Sequence, residues 1–100
     1  MPAALPPDAL QAEMATLPHW RLCRQGRAIQ RDLDLPDFYA AFSLMTRIAM
    51  LAEKMNHHPE WSNCYGRLEI LLNTHDAGGV SELDLRMARQ IDAWVDGAAG

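Results

Sequence analysis

Apolar residues recur at helical spacing in three stretches of the chain and alternate with polar ones in the stretches between. Over residues 7–16, Leu10, Met14 and Leu17 fall on one face of a short predicted helix; Pro7 and Asp8 suit its first turn and Pro18 ends it. Trp20, Leu22 and Arg24 then alternate with Arg21 and Cys23, Gln25-Gly26 can turn, and Ile29, Arg31 and Leu33 resume the alternation, which reads as a β-hairpin. The clearest element follows Pro36: Phe38, Ala41, Phe42, Met45, Ile48, Ala49 and Ala52 recur at helical spacing. An aromatic ligand-binding stripe could carry the same pattern, but core packing is the commoner use and is the expectation here.

Pro59 is read as the stop of that helix, holding His58 out of the α region. Residues 61–65 and 67–74 read as two strands about a turn at Gly66, a residue suited to positive φ. Leu68, Ile70 and Leu72 share one face of the second strand, and Leu71 lies on its otherwise polar face, which fits either a covered edge or surface or a singly exposed leucine. After Gly78-Gly79, Ser81 and Asp84 stand at capping-box spacing, with Asp a weaker partner than Glu. A closing helix carries Leu83, Met87, Ile91 and Trp94 beside Ala88 and Val95, and residues 97–100 are expected to fray.

The order α-β-β-α-β-β-α predicts an α+β fold in two layers, with helices on one face of a single antiparallel four-stranded sheet. One hundred residues suit one domain, 1–100, without internal linker or repeat. Interspersed charges summing to -4 argue against direct nucleic-acid binding, which needs a concentrated positive field. Cys23 and Cys64 are too few for a disulfide framework, and reduced thiols are expected. No basic residue precedes Arg21, as a signal peptide would need, and the apolar run 48–52 is too short to cross a bilayer. A soluble, cytoplasmic protein is the expectation.

Candidate chemistry gathers near the predicted break after the long helix and at the end of the last strand. His57 and His58 sit before Pro59, and His75 follows Thr74. Glu53, one turn before His57, can reach its ring. Asp76 follows His75, and Asp84 opens the last helix. Imidazole exchanges protons near neutrality, so a histidine cluster without a serine or lysine nucleophile points to proton transfer. Each residue alone has a plainer use: a helix cap for the His-His pair, a strand-end hydrogen bond for His75, a solvated face for Glu53, a cap for Asp84. Spacing leaves both alternatives open.

Glu53-Lys54-x-x-His57-His58-Pro59-Glu60-Trp61, then Tyr65, then Thr74-His75-Asp76-x-Gly78-Gly79-x-Ser81-x-x-Asp84 resembles the signature of the pterin-4a-carbinolamine dehydratases. Phe38, Ala41-Phe42, Met45-Thr46-Arg47 and the run 49–54 extend the likeness, which with Trp20 covers about residues 17–95. The resemblance implies an antiparallel four-stranded sheet with helices on one side. It also implies dehydration of a 4a-hydroxy-tetrahydropterin to quinonoid dihydropterin, in recycling of the pterin used by aromatic amino acid hydroxylases. By motif position, His57, His58 and His75 would be the catalytic pocket histidines. Glu53 and Asp84 would be supporting acids, and residues 74–77, including Thr74, Asp76 and Ala77, would contact the pterin edge. Pro59 and Trp61 complete the implied substrate-binding set. The family often has aspartate where this chain has Asn56, which would remove one carboxylate beside the histidine pair.

Dehydration of this kind implies neither cofactor nor metal. Three histidines and a carboxylate could in principle hold zinc, but adjacent His57 and His58 lack the i,i+4 spacing of the helical zinc motif. Some relatives of the family serve as dimerisation partners of a transcription factor, so a non-catalytic binding module of the same fold is the alternative. The resemblance further implies a homodimer or homotetramer with a reduced pterin as the small-molecule partner.

Overall fold

The computed structural model describes residues 2–97. The elements, in chain order, are α1 (Pro7–Met14), β1 (Arg21–Cys23), β2 (Ala28–Asp34), α2 (Phe38–Met55), β3 (Glu60–Cys64), β4 (Arg67–Leu72) and α3 (Glu82–Asp92). A 3-10 turn, His75–Ala77, joins β4 to α3, and a π turn, Ala93–Gly97, follows α3. This is the α+β order that the hydrophobic pattern predicts. Among residues 97–100, whose fraying was expected, 98–100 lie outside the described residues. No described helix is long and apolar enough to cross a membrane. Cys23 and Cys64 are free.

The four strands form one antiparallel sheet in the order β1-β2-β4-β3. Register follows from burial of one face. Ile29, Arg31 and Leu33 of β2 lie opposite Leu72, Ile70 and Leu68 of β4, and all six are buried. A slip of one residue would turn that whole set to solvent. The other face carries Gln30, Asp32, Glu69 and Leu71. Leu71 is half-buried there, between Gln30 of β2 and Glu60 of β3, so β4 is an interior strand and not an edge.

The helices cover the apolar face, with one correction to the expected stripe. In α2 the buried residues are Ala41, Leu44, Ile48 and Ala52, whereas Phe38 and Phe42 are 49% and 56% exposed and Ala49 is exposed. At about 100° per residue, Leu44 and Phe42 lie on opposite sides of Ala41. The sheet takes the Leu44 side, so the buried face is turned by about 60° from the one the aromatic residues suggest. Periodicity was right; azimuth was not.

Two further boundaries differ from expectation. α2 stops at Met55, before Pro59, because Asn56 adopts a left-handed conformation (φ 53°, ψ 45°). The Asn56 N–H donates to the Glu53 carbonyl and the His57 N–H to the Ala52 carbonyl, the paired bonds of a Schellman cap. Asparagine tolerates this conformation better than other residues with a Cβ. At the β3–β4 turn, positive φ falls on Tyr65 (60°) and not on Gly66. Glycine is required at 66 for close approach, since a Cβ there would stand 2.3 Å from the Leu35 carbonyl oxygen.

One buried cation ties the sheet to the C-terminal helix. Arg31 Nη1 donates to Asp92 Oδ1 (2.5 Å) and, with Nη2, to both oxygens of Asp96 (2.7 and 3.0 Å), while Trp20 Nε1 also donates to Asp92 (2.8 Å). Burial works against the Arg31 charge, and the two carboxylates more than offset it. Asp96 is held below the usual carboxylate range by its hydrogen bonds from Arg31. A depressed folded-state pKa contributes stability above the unfolded value, near 3.9, that is lost as pH falls through the folded value. In urea denaturation between pH 5.5 and pH 2.5, wild type should therefore lose stability more steeply below about pH 4 than Asp96→Asn. Parallel acid limbs would contradict this.

Candidate functional site

The chain turns sharply where α2 ends, and the Schellman cap decides where the two following histidines go. His57 is carried inward and is buried; His58 remains exposed. At the other end of the site, β4 ends at Leu72 and not Thr74. Thr74 forms an isolated bridge with Gly79 (Thr74 N–H to Gly79 carbonyl, 2.8 Å), so residues 75–78 form a tight excursion closed by Gly78 at φ 73°. That excursion carries His75 in the 3-10 turn, where a strand end was expected.

Asp84, with no solvent exposure, lies beneath these segments. Its Oδ1 stands 2.5 Å from His57 Nε2, and its Oδ2 accepts from the Thr74 hydroxyl (2.7 Å) and the Ser81 N–H (2.9 Å). Since Thr74 gives its hydrogen to Asp84, the short Thr74–Ser81 contact (2.5 Å) is a donation from Ser81 Oγ to Thr74 Oγ1. Ser81 Oγ in turn accepts from the Leu83 N–H (3.2 Å). The predicted capping box is thus present, and its aspartate does a second job. As the other groups around Asp84 are donors, His57 presents Nε2–H to it, which leaves Nδ1 as the acceptor of the ring.

The pairing of acids with imidazoles differs from expectation. Glu53 reaches His58 (Oε2 to Nε2, 2.6 Å), and Asp84, not Glu53, holds His57. The Glu53–His58 pair is exposed on both sides and adds little to stability. Asn56, where a carboxylate was missed, is explained by the backbone: it is the left-handed cap that sends His57 inward.

His57, His58 and His75 line one open cleft of about 370 Å³. Thr74 and Asp76 line it too. Of the other residues singled out, Asp84 backs His57 and Glu53 holds His58 from outside. Pro59 and Ala77 are half-buried, and Trp61 packs against the hydrophobic core; none of the three lines the cleft. Three more residues line it: Asn73, which sequence reasoning passed over, Leu83, which it assigned to the apolar stripe of the last helix, and Glu60, which it quoted only as motif. Arg24 grips Glu60 with two hydrogen bonds (3.1 and 2.7 Å), which holds the Glu60 carboxyl below the usual carboxylate range. No local signal joins residues 24 and 60; the sheet does. Among the described residues, no group of three or more His, Cys, Asp or Glu is placed to hold a metal ion.

Fold and site together define a small α+β protein with three imidazoles on one polar cleft, one of them backed by a buried carboxylate. A family model described as pterin 4 alpha carbinolamine dehydratase matches residues 3–94, and the chain belongs to that family. A relative from Mesorhizobium japonicum, provisionally named as a dehydratase of this kind, is 46% identical over 90% of this chain and 92% of its own. Another from Rhizorhabdus wittichii, provisionally named in the same way, is 54% identical over 89% of this chain and 88% of its own. A crystal structure from Brucella melitensis, described as a transcriptional coactivator/pterin dehydratase, superposes with a TM-score of 0.87 at 39% identity, covering 90% of this chain and 96% of that one. A pterin dehydratase-like protein described as a RuBisCO assembly factor of the alpha-carboxysome shares the fold at 17% identity (TM-score 0.66; 77% and 89% covered).

Removing the Asp84 carboxylate strands three donors in a buried setting. Asp84→Ala should cost about 3–5 kcal/mol in urea denaturation, the scale expected when three buried donors lose their acceptor at about 1–2 kcal/mol each. A loss under about 1 kcal/mol would mean the network bears little of the fold.

Proposed function

We propose that this protein is a cytoplasmic hydro-lyase that dehydrates a 4a-hydroxy-tetrahydropterin to the quinonoid dihydropterin, as in pterin recycling. The observation that carries the reading is the convergence of His57, His58 and His75 on one cleft, with His57 oriented by buried Asp84. In the reaction the bond from C4a to the hydroxyl oxygen breaks and its electron pair leaves with oxygen. A proton delivered to that oxygen makes the leaving group water. Loss of the proton on N5 frees the pair that closes the C4a=N5 bond. The sum is loss of one water, with no redox change.

His57 and His58 share the acid role, and His75 holds the ring or accepts the proton. Each of the first two has a carboxylate on Nε2, Asp84 and Glu53 respectively, which orients the ring and leaves Nδ1 for exchange. Asp76 supplies a polar contact at the ring edge, and Thr74, whose hydroxyl is taken up by Asp84 and Ser81, holds the loop that presents it. Positioned acid–base groups contribute about 10²–10⁴-fold, enough for a carbinolamine that already loses water slowly unaided. His57→Ala, His58→Ala and His75→Ala, followed by absorbance of the quinonoid product, should each lower kcat/KM, by about a hundredfold for the strongest. Full activity in all three ends the proposal.

A second reading, a non-catalytic dimerisation or transcription-cofactor module, draws on the Brucella melitensis neighbour, whose description joins coactivator and dehydratase. Turnover of the carbinolamine by wild type separates the two. Self-association as a dimer or tetramer accompanies either. It is supported by the outer side of α2, where Phe38, Tyr39 and Phe42 form an exposed apolar groove and Met50 is 69% exposed. Light scattering should give a multiple of 11.2 kDa, and Phe42→Glu should reduce it; a monomer mass for wild type would remove this part.

A further inference from the structure

The histidine cleft shares a wall with a second opening. Asn73, Thr74 and His75 line both, and the other residues of the second, about 300 Å³, are Arg24, Arg27, Gly78 and Gly79. Among the described residues no acidic one lines it, in a chain where 13 acidic residues outnumber 9 basic ones. The local sign of charge is opposite to that of the molecule.

The two arginines are not equivalent. Arg24 is committed to Glu60 through two hydrogen bonds, so that pair is neutral as a unit. Arg27 bonds only neutral acceptors: its Nε donates to the Arg24 carbonyl (3.2 Å) and its Nη2 to the Gln25 side-chain oxygen (3.3 Å). Among the described residues no carboxylate forms an ion pair with Arg27. The loop that carries both holds Arg24, Gln25 and Gly26 at φ 52°, 60° and 82°, a left-handed run that L-residues resist. Its carbonyl at Arg24 is what anchors the Arg27 guanidinium. A guanidinium with donors to spare and without a counter-ion, in an opening that an imidazole also lines, suits a phosphate group better than a hydroxyl tail.

We infer that the opening formed by Arg27, Arg24 and His75 receives an anionic, phosphate-bearing side chain of the pterin whose ring occupies the histidine cleft. This rests on the pterin reading and narrows it to a substrate class, with Arg27 as the residue that selects it. The ring would lie against His57 and His58, and the substituent would pass His75, which belongs to both openings.

The test compares two 7,8-dihydropterins, one with a phosphorylated side chain at C6 and one identical but unphosphorylated, by quenching of tryptophan fluorescence at low salt. Wild type should bind the phosphorylated compound about tenfold more tightly, the scale of one charge-assisted hydrogen-bonded contact. In Arg27→Gln the ratio of the two affinities should fall to about one, and added salt should erode the wild-type ratio in the same direction. Equal affinities in wild type, or a ratio untouched by Arg27→Gln, overturn the inference and leave the dehydratase reading standing. Binding of neither compound overturns both. A free anion is distinguished by adding inorganic phosphate to the unphosphorylated compound: if that mixture reproduces the tighter binding, the phosphate need not be carried by the pterin and the inference fails.

Discussion

A carboxylate cut off from water has to find its hydrogen bonds inside the protein, and Asp84 finds them on three separate segments. His57 comes from the end of α2, Thr74 from the loop after β4, and Ser81 from the residue that opens α3. Burying an ionised group unsatisfied costs several kcal/mol, so those segments cannot drift apart independently. The same contacts that satisfy the acid fix the tautomer of His57 and bring the loop bearing His75 to the cleft. Stability and site geometry are here one network.

The rest of the fold serves that convergence. Pairing of β2 with β4 puts the end of α2 and the start of α3 on the same side of the sheet, and β3 at the edge brings Glu60 beside Asn73. Arg31, buried under α3 and held by Asp92 and Asp96, ties the far end of that helix to the sheet, so α3 is fixed at both ends. An arginine on the apolar face of β2 is legible as alternation. That it would find two acids sixty-odd residues away is not.

Local chemistry explains the errors as well as the successes. The capping box was readable because Ser81 and Asp84 are three residues apart and their contacts are intrahelical. The helix stop was misplaced because proline is a visible breaker, whereas left-handed Asn56 is only one of several residues able to take that conformation. The aromatic stripe of α2 was assigned to the core because periodicity reports that a face is buried. It does not report which of two adjacent faces the sheet will meet.

The sequence alone determined the order of elements, the inward residues of β2 and β4, and the presence of a histidine set in a recognisable motif. These are short-range consequences of a two-residue or 3.6-residue period and of cap chemistry. Tertiary structure alone decided which acid holds which imidazole, that Glu53 serves the exposed ring while Asp84 serves the buried one, and that Arg24 and Arg27 share an opening with His75. Those contacts join residues that no local period relates. They exist only once the sheet has set the distance and rotation of each element relative to the others.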